Sequence, residues 1–278
     1  MARKSSRSLA GLLAVGLGLW VILAAFPFLW MALISVRVPV DAFSVPPQLF
    51  APFTLENYHE LWVVDQFYVK FFNSAIVTLG VLCVSLSIGC LAGYALSRYE
   101  GNLGFWLLMV ALVFRALPHS TLLPGYQLAF AELGIWNRYE TLIIVLVAIN
   151  QPFTIWMLRS FFANIPKDLD EAALVDGCTR AGAFFRVIVP VMWPGIITTG
   201  LFSFLLAYND FLISSQLMNA DKQTMTAALS AYINADDDAY KLMQGIAGAV
   251  SVTIPLIFLV LFFQRQLVSG LVQGAVKG

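Results

Sequence analysis

Apolar residues occur along this chain in six long runs that are separated by short polar segments or by segments rich in Pro and Gly. A helix needs roughly 20 mostly apolar residues to cross the hydrocarbon core of a bilayer, and each run reaches or approaches that length. The predicted membrane helices cover residues 9–34, 71–96, 103–130, 139–162, 191–217 and 243–267. The pattern therefore predicts an all-α integral membrane protein with one transmembrane domain over residues 1–278.

The composition agrees with this pattern. Of the 278 residues, 60% are hydrophobic and 12% are charged, whereas about 25% of the residues in a soluble domain are charged. The formal net charge is zero, so the chain has no overall basic field that would attract nucleic acid. Basic residues precede the first run, as in a secretory signal. That run exceeds the roughly 7–15 apolar residues of a signal, and we expect it to remain a membrane anchor.

The basic residues predict an orientation for these helices, because cytoplasmic loops of membrane proteins carry an excess of Lys and Arg. With a cytoplasmic amino terminus, ten of the 16 basic residues fall in cytoplasmic segments and five fall outside. Arg115 is the remaining one and lies within a span. We therefore expect both termini in the cytoplasm, residues 37–70 outside, and the 164–190 loop and 268–278 tail inside.

The 164–190 loop carries the signals of two short helices. Pro166 can begin a helix with three carboxylates in its first turn, where they complement the positive end of the helix dipole. Gly177 is a helix stop signal, and Thr179 can cap a second helix that ends near Pro190. Apolar positions recur every three or four residues, so one face can pack on the membrane helices. The loop is predicted to be a helix–turn–helix whose other face is open to the cytoplasm.

A known signature runs through this loop. Glu171-Ala172-Ala173, then Gly177 after three residues and Val187-Ile188-Val189-Pro190 after nine more, resembles the EAA signature of bacterial ABC-importer permeases. Further segments that resemble the carbohydrate-uptake branch are residues 53–58, Asn73-Ser74, 94–98 and 270–278. Together these segments are similar to the smaller permease of the maltose-type transporters. The small pair Ala172-Ala173 would let another protein approach the helix backbone closely.

The resemblance implies a type I ABC-importer fold in a bacterial inner membrane. It assigns ATPase coupling to Glu171, Ala172, Ala173, Asp176, Gly177, Gln273, Gly274 and Lys277. The implied partners are two ATPase subunits that hold ATP and Mg, an extracytoplasmic sugar-binding protein and a second permease, in a heterodimer. This chain would then bind no cofactor and would be no enzyme. The alternatives are a surface hairpin without a partner for the loop, and a frayed terminus for the tail.

Polar residues at membrane depth suggest a translocation path, because they are costly there and usually face a bundle interior or an aqueous pathway. The candidates come from three consecutive spans and are Arg115, His119, Asn150, Gln151, Tyr208, Asn209 and Asp210. Arg115 and Asp210 could equally form a buried pair that locks two helices. Asn150 and Gln151 could instead satisfy backbone groups freed by Pro152. No His, Cys and carboxylate spacing predicts a metal site.

These observations predict the import of a sugar or sugar derivative by alternating access, with the charge of the sugar left open. The competing class is a secondary transporter driven by an ion gradient, in which Asp210 and Arg115 would relay protons. Such transporters usually consist of two related halves, and no convincing internal repeat is present. A membrane enzyme is disfavoured because the polar residues within the spans contain no nucleophile–base pair.

Overall fold

The computed structural model describes residues 2–46, 50–235 and 238–275, and it describes side chains over 11–46, 50–235 and 238–266. The α-helices within these residues are α1 (Ala2–Ser35), α2 (Pro39–Ala42), α3 (Glu56–His59), α4 (Phe67–Arg98), α5 (Leu103–Arg115), α6 (Leu123–Glu132), α7 (Tyr139–Phe162), α8 (Asp168–Val175), α9 (Arg180–Ala183), α10 (Val189–Val191), α11 (Trp193–Tyr208), α12 (Leu212–Leu217), α13 (Met225–Ile233) and α14 (Ala239–Ala275). Short π-helical turns (Glu60–Val64 and Phe184–Ile188) and a 3₁₀ turn (His119–Thr121) complete the regular structure of this part of the chain. The all-α prediction is confirmed.

The chain forms two compact units. The first contains Met1–Phe67 and Leu229–Leu256, and the second contains Tyr68–Ala228 and Ile257–Gly278. The second unit holds the 164–190 loop, which we call the coupling loop, and all the predicted path residues. It is therefore the unit that carries the candidate sites.

Side-chain hydrogen bonds organise the first unit around the segment that follows α1. The buried amide of Asn57 donates to the carbonyl oxygens of Ser35 and Arg37, at 2.8 and 2.7 Å. The indole of Trp62 donates to the hydroxyl of Ser251 at 3.0 Å. These bonds attach residues 57–62 to the end of α1 and to α14.

Within the described residues, four helices are long and apolar enough to cross a membrane. Their apolar stretches are Gly11–Ser35, Phe67–Arg98, Tyr139–Phe162 and Ala239–Gln266. A fifth crossing arises if Arg180–Val191 and Trp193–Tyr208, which meet at an angle of 76°, count as one span. The described part of the chain therefore has four or five such helices, and the predicted six continuous spans are not found in it.

The difference arises in the third and fifth predicted spans. Residues 103–130 are split, because α5 ends at Arg115 and the chain is extended at Pro118 before α6 begins. Pro lacks a backbone donor and disfavours the helical conformation in the residue before it. Residues 191–217 are also split, because α11 ends at Tyr208 and the chain resumes as α12.

The start of α4 fixes the segment that joins α12 to α13. The amide of Asn73 donates to the carbonyl oxygens of Asp221 and Gln223, both at 3.0 Å. The hydroxyl of Ser74 accepts a bond from the backbone of Met225 at 2.8 Å. The Asn73-Ser74 segment thus has a structural role, since it satisfies backbone groups of a distant connection.

Helices α4 and α7 pack at very short range around two glycines of α4. A Cβ atom added at Gly93 would lie 3.0 Å from the backbone nitrogen of Arg159, and one added at Gly89 would lie 2.8 Å from a methyl group of Thr154. Small residues spaced four apart allow membrane helices to approach closely. This contact sets the position of the ends of α4 and α7, where the coupling loop begins.

Candidate coupling site and translocation cavity

The coupling loop folds as a helical hairpin. Helix α8 has three carboxylates in its first turn and ends before Gly177, whose φ of +87° suits glycine. The hydroxyl of Thr179 then accepts a bond from the backbone of Gly182 at 3.1 Å and begins α9. The predicted helix–turn–helix is confirmed, including its stop at Gly177 and its cap at Thr179.

The hairpin has a buried face and an exposed face. Its buried side chains are Ala173, Ala183, Phe184 and Ile188, which are 0–5% exposed. Glu171, Ala172 and Asp176 are exposed, as a docking role requires. The prediction for Ala173 needs correction, because this residue is 5% exposed and its side chain is on the buried face of α8. Only Ala172 of the predicted small pair is therefore open to a partner.

The exposed face of the hairpin is partly apolar, which the recurrence of apolar positions did not predict. Leu169 and Leu174, two of those recurring positions, are 36% and 44% exposed. Val175 is 88% exposed at the end of α8. Ala172, Leu174 and Val175 therefore give the hairpin an exposed apolar surface beside Glu171, which we call the α8 surface.

The predicted tail contacts lie largely outside the described residues. Gln273 and Gly274 belong to the helical backbone of α14, but the side chain of Gln273 lies outside the described residues. Lys277 also lies outside them. Further back on α14, the carbonyl oxygen of Gln266 accepts a bond from the buried hydroxyl of Thr198 at 3.2 Å, which attaches the last described part of α14 to α11.

A cavity of about 210 Å³ gathers four of the predicted path residues. Arg115, His119, Asn150 and Asp210 line it together with apolar side chains of α4, α7, α11 and α12. Residues from three predicted spans are thereby brought together, as their similar depth in the sequence indicated. The wall is mostly apolar with a few polar groups, which is typical of a small-molecule site.

Arg115 and Asp210 share this cavity without pairing. The guanidinium of Arg115 lies over the ring of Phe153, 4.8 Å from its centre. Both carboxylate oxygens of Asp210 instead accept backbone bonds, from Ser214 at 2.9 Å and from Ile213 at 3.4 Å. Asp210 thus caps α12, and the alternative of a helix-locking ion pair is not what the structure contains.

Asn150 and Gln151 differ in their surroundings. Asn150 is 4% exposed, and within the described residues its amide nitrogen and oxygen have no hydrogen-bond partner. Gln151 accepts a bond from the hydroxyl of Ser85 at 3.0 Å and donates to the carbonyl of Ser85 at 3.2 Å. Neither amide bonds to backbone freed by Pro152, so that alternative is also not observed. The side chain of Asn150 therefore has two polar groups beside the cavity that bond to none of the described residues.

Three of the seven path candidates do not line the cavity, namely Gln151, Tyr208 and Asn209. The ring of Tyr208 is buried and stacks on Phe204 at 5.4 Å. Asn209 follows as the exposed end of α11. His119 does line the cavity, and its Nε2 contacts the carbonyl oxygen of Arg115 at 3.1 Å. The structure therefore places Gln151, Tyr208 and Asn209 apart from the group.

Several apolar helices, a cavity with polar groups between them and an exposed helical hairpin define a membrane transport protein. Residues 85–273 match the family described as the binding-protein-dependent transport system inner membrane component. The chain belongs to this family, and it is therefore a permease component of an ABC transporter.

Relatives and a solved structure agree with this assignment. The chain is 34% identical over 264 residues to the probable ABC transporter permease protein y4oR of Sinorhizobium fredii, covering 93% of each chain. It is also 34% identical over 280 residues to the trehalose/maltose transport system permease protein MalG of Thermococcus litoralis, covering 96% of each. The fold matches a chain of a bacterial ABC transporter involved in the import of the acidic polysaccharide alginate, with a TM-score of 0.78, 20% identity and coverage of 94% and 97%. The resemblance to maltose-type permeases is confirmed.

Proposed function

We propose that this chain imports a carbohydrate that an extracytoplasmic binding protein delivers, and that a separate ATPase bound to the α8 surface supplies the energy. The observation that carries the proposal is the exposed hairpin, in which α8 presents Glu171, Ala172 and Val175. A short helix held on a packed base is a suitable element for transmitting force from a moving partner. The family match supports the same role.

The proposed topology has both termini in the cytoplasm of a bacterial cell, with the chain in the inner membrane. The proposed topology has six crossings. The third would consist of α5 and α6 together, and the fifth would consist of the bent pair Arg180–Val191 and Trp193–Tyr208. The excess of basic residues in the loops assigned to the cytoplasm supports this orientation. The α8 hairpin then faces the cytoplasm, where ATP is available.

In the proposed mechanism, ATP and Mg belong to two ATPase subunits, and this chain contributes no catalytic group. Closure of the ATPases displaces α8, and the displacement alters the packing of the membrane helices around the cavity. Gln273, Gly274 and Lys277 are proposed as a second contact with the ATPases. A second, different permease would complete the translocation path.

We assign the cavity to the passage of the carbohydrate. The unpaired amide of Asn150 can exchange hydrogen bonds with hydroxyl groups, and Arg115 and Asp210 supply a cation and an anion. The names of the relatives include a neutral disaccharide and an acidic polysaccharide. The proposal is therefore limited to carbohydrate as the substrate class.

Uptake by reconstituted vesicles tests the proposal. The complex with its ATPase and binding protein would be placed in proteoliposomes, with maltose, trehalose and alginate oligosaccharides as probes. Uptake of one probe should require ATP and the ATPase, and it should not change when an ionophore collapses the ion gradients. Uptake without the ATPase that the ionophore abolishes would instead establish the ion-driven secondary transporter.

A further inference from the structure

One arginine joins three elements at the base of the hairpin. Arg98 is the last residue of α4, and its Nε and Nη2 atoms both lie 2.8 Å from one carboxylate oxygen of Asp170 on α8. Its Nη1 atom donates to the carbonyl oxygens of Phe162 at 3.3 Å and Ile165 at 3.2 Å. The first carbonyl belongs to the last residue of α7 and the second lies just beyond it. Carbonyls at this end of a helix lack intrahelical partners, and the dipole there favours a cation. Arg98 therefore connects α4, α7 and α8 directly.

The other oxygen of Asp170 is also engaged. It accepts a bond from the hydroxyl of Tyr94 at 2.5 Å. Tyr94 and Arg98 are four residues apart on α4 and so project from the same face. Asp170 is thus held on both oxygens by two side chains of one membrane helix.

This contact is shielded from water, in contrast to the other ion pair of the loop. The side chains of Arg98 and Asp170 are each 17% exposed, whereas those of Lys167 and Glu100, 2.7 Å apart, are 52% and 85% exposed. Exposed pairs contribute little, because water and salt screen them. Of these two contacts, the Arg98–Asp170 pair is the one that can hold α8 in place.

Aromatic packing reinforces the same junction. The ring of Tyr94 lies 5.6 Å from that of Phe162 at the end of α7, and 4.8 Å from that of Phe184 in the second half of the hairpin. The residue before Tyr94 on α4 is Gly93, where an added Cβ atom would lie 3.0 Å from the backbone nitrogen of Arg159 on α7. Both limbs of the hairpin therefore rest on the α4–α7 pair.

We propose that Tyr94 and Arg98 are positioning residues that make α8 move together with α4 and α7, through their joint hold on Asp170. The inference rests on the proposed role of α8 as the ATPase contact. It assigns a role to two residues of the 94–98 segment, which resembles the carbohydrate-uptake branch. Asp170 precedes the docking residue Glu171, so the carboxylate that faces the membrane helices and the one that faces the partner are adjacent in the sequence.

The test is the number of probe sugar molecules transported per ATP hydrolysed, measured with the assembled complex in proteoliposomes. In Asp170→Asn the carboxylate charge is lost, and we expect this ratio to fall at least about fivefold, the lower end of typical coupling between two sites. The ATPase should still copurify in the normal amount, because Asp170 faces away from the α8 surface. Asp168→Asn is the matched control, since it removes an exposed carboxylate from the same turn and should leave the ratio unchanged.

Two conservative variants complete the test. Tyr94→Phe removes only the hydroxyl bond and keeps the ring packing, so a smaller fall is expected. Arg98→Lys keeps a charge beside Asp170 but cannot also serve the carbonyls of both Phe162 and Ile165, so an intermediate ratio is expected.

The outcomes separate the two proposals. If the ATPase fails to copurify with the unaltered chain, the docking role and the inference both fail. If it copurifies and Asp170→Asn transports as many sugars per ATP as Asp168→Asn, the inference alone is wrong. Should Asp170→Asn fail to assemble, Tyr94→Phe decides, and an unchanged ratio in that variant would overturn the positioning role.

Discussion

Asn150 and Gln151 are neighbours on α7, yet only the side-chain amide of Gln151 has hydrogen-bond partners among the described residues. The two side chains differ by one methylene group and point in different directions from the helix. Gln151 exchanges two hydrogen bonds with Ser85 of α4, whereas Asn150 lies beside the cavity. One amide holds helices together, and the other is available to a bound molecule.

Replacing each amide with leucine should therefore give opposite results. Asn150→Leu removes a buried polar group whose lack of a partner costs about 1–3 kcal/mol, so thermal stability in detergent should stay equal or rise while sugar uptake falls. Gln151→Leu breaks the contact with Ser85 and should lower the unfolding temperature. Equal losses of stability in the two variants would show that Asn150 has a structural partner.

The turn of the hairpin predicts an effect of backbone conformation alone. A Cβ atom at Gly177 would meet nothing within 4 Å, but φ is +87° there, so the cost of a substitution comes from backbone strain. Gly177→Val should cost a few kcal/mol at this turn, and Gly177→Asn about half as much, because Asn tolerates positive φ better. ATPase copurification should fall in the order Gly, Asn, Val. Equal binding by the two variants would exclude turn geometry as the cause.

Val175 is the test of the α8 surface itself. Aspartate in place of Val175 would put an unpaired charge in the apolar α8 surface, and burying such a charge in an interface is costly, so Val175→Asp should weaken ATPase binding by at least about tenfold. Binding would be measured by titrating the purified ATPase onto the permease in detergent. Val40→Asp is the control, because Val40 is 78% exposed on α2, in a segment predicted to face outside. A similar loss in both variants would argue against a localised contact.

The α4–α7 contact predicts that one added methyl group is harmful at one glycine and harmless at another. Gly93→Ala places a carbon 3.0 Å from the backbone of Arg159 and should destabilise the protein by about 1–3 kcal/mol. Gly125→Ala on α6 meets nothing within 4 Å and should be neutral or slightly stabilising. Thermal unfolding of both variants in detergent would check this. A stable Gly93→Ala would mean that the helices can separate without cost.

The exposed pair of Lys167 and Glu100 provides a pH prediction. The hydrogen bond and the charge of Lys167 lower the pKa of Glu100 below its ordinary value of 4.5. Any stabilisation from the pair is thus fully present above pH 4.5 and is lost as the pH falls through the lowered pKa. Because both side chains are exposed, Glu100→Gln should leave the unfolding temperature at pH 7 unchanged. A clear fall would show that the pair is shielded by a partner.

Local signals predicted the helices and the hairpin well, because caps and stops act within a few residues. Gly177 and Thr179 mark the turn in the sequence and do so in the structure. Proline was less informative. Pro152 lies inside α7 whereas Pro118 separates α5 from α6, because the packing of neighbouring helices decides whether a helix continues through a proline.

The sites were predicted only in part for a similar reason. Depth along the spans brought Arg115, Asn150 and Asp210 together correctly, but it could not show which side of a helix faces the cavity. Tyr208, which was predicted as a path residue, is not among the residues that line the cavity. The partners of Asp170 lie more than 70 residues away in the sequence, and a single sequence contains no local pattern that reports such a contact.

The bend at Met192 has a mechanical consequence for the hairpin. The backbone bonds from Met192 to Ile188, at 2.9 Å, and from Ile196 to Met192, at 3.0 Å, continue the helical pattern through the 76° corner, and Met192 itself is buried. The corner is therefore supported by backbone hydrogen bonds and by the packing of Met192. In the proposed mechanism, a push along the axis of the second limb of the hairpin would reach α11 as a sideways displacement, so the direction of the motion would change at Met192.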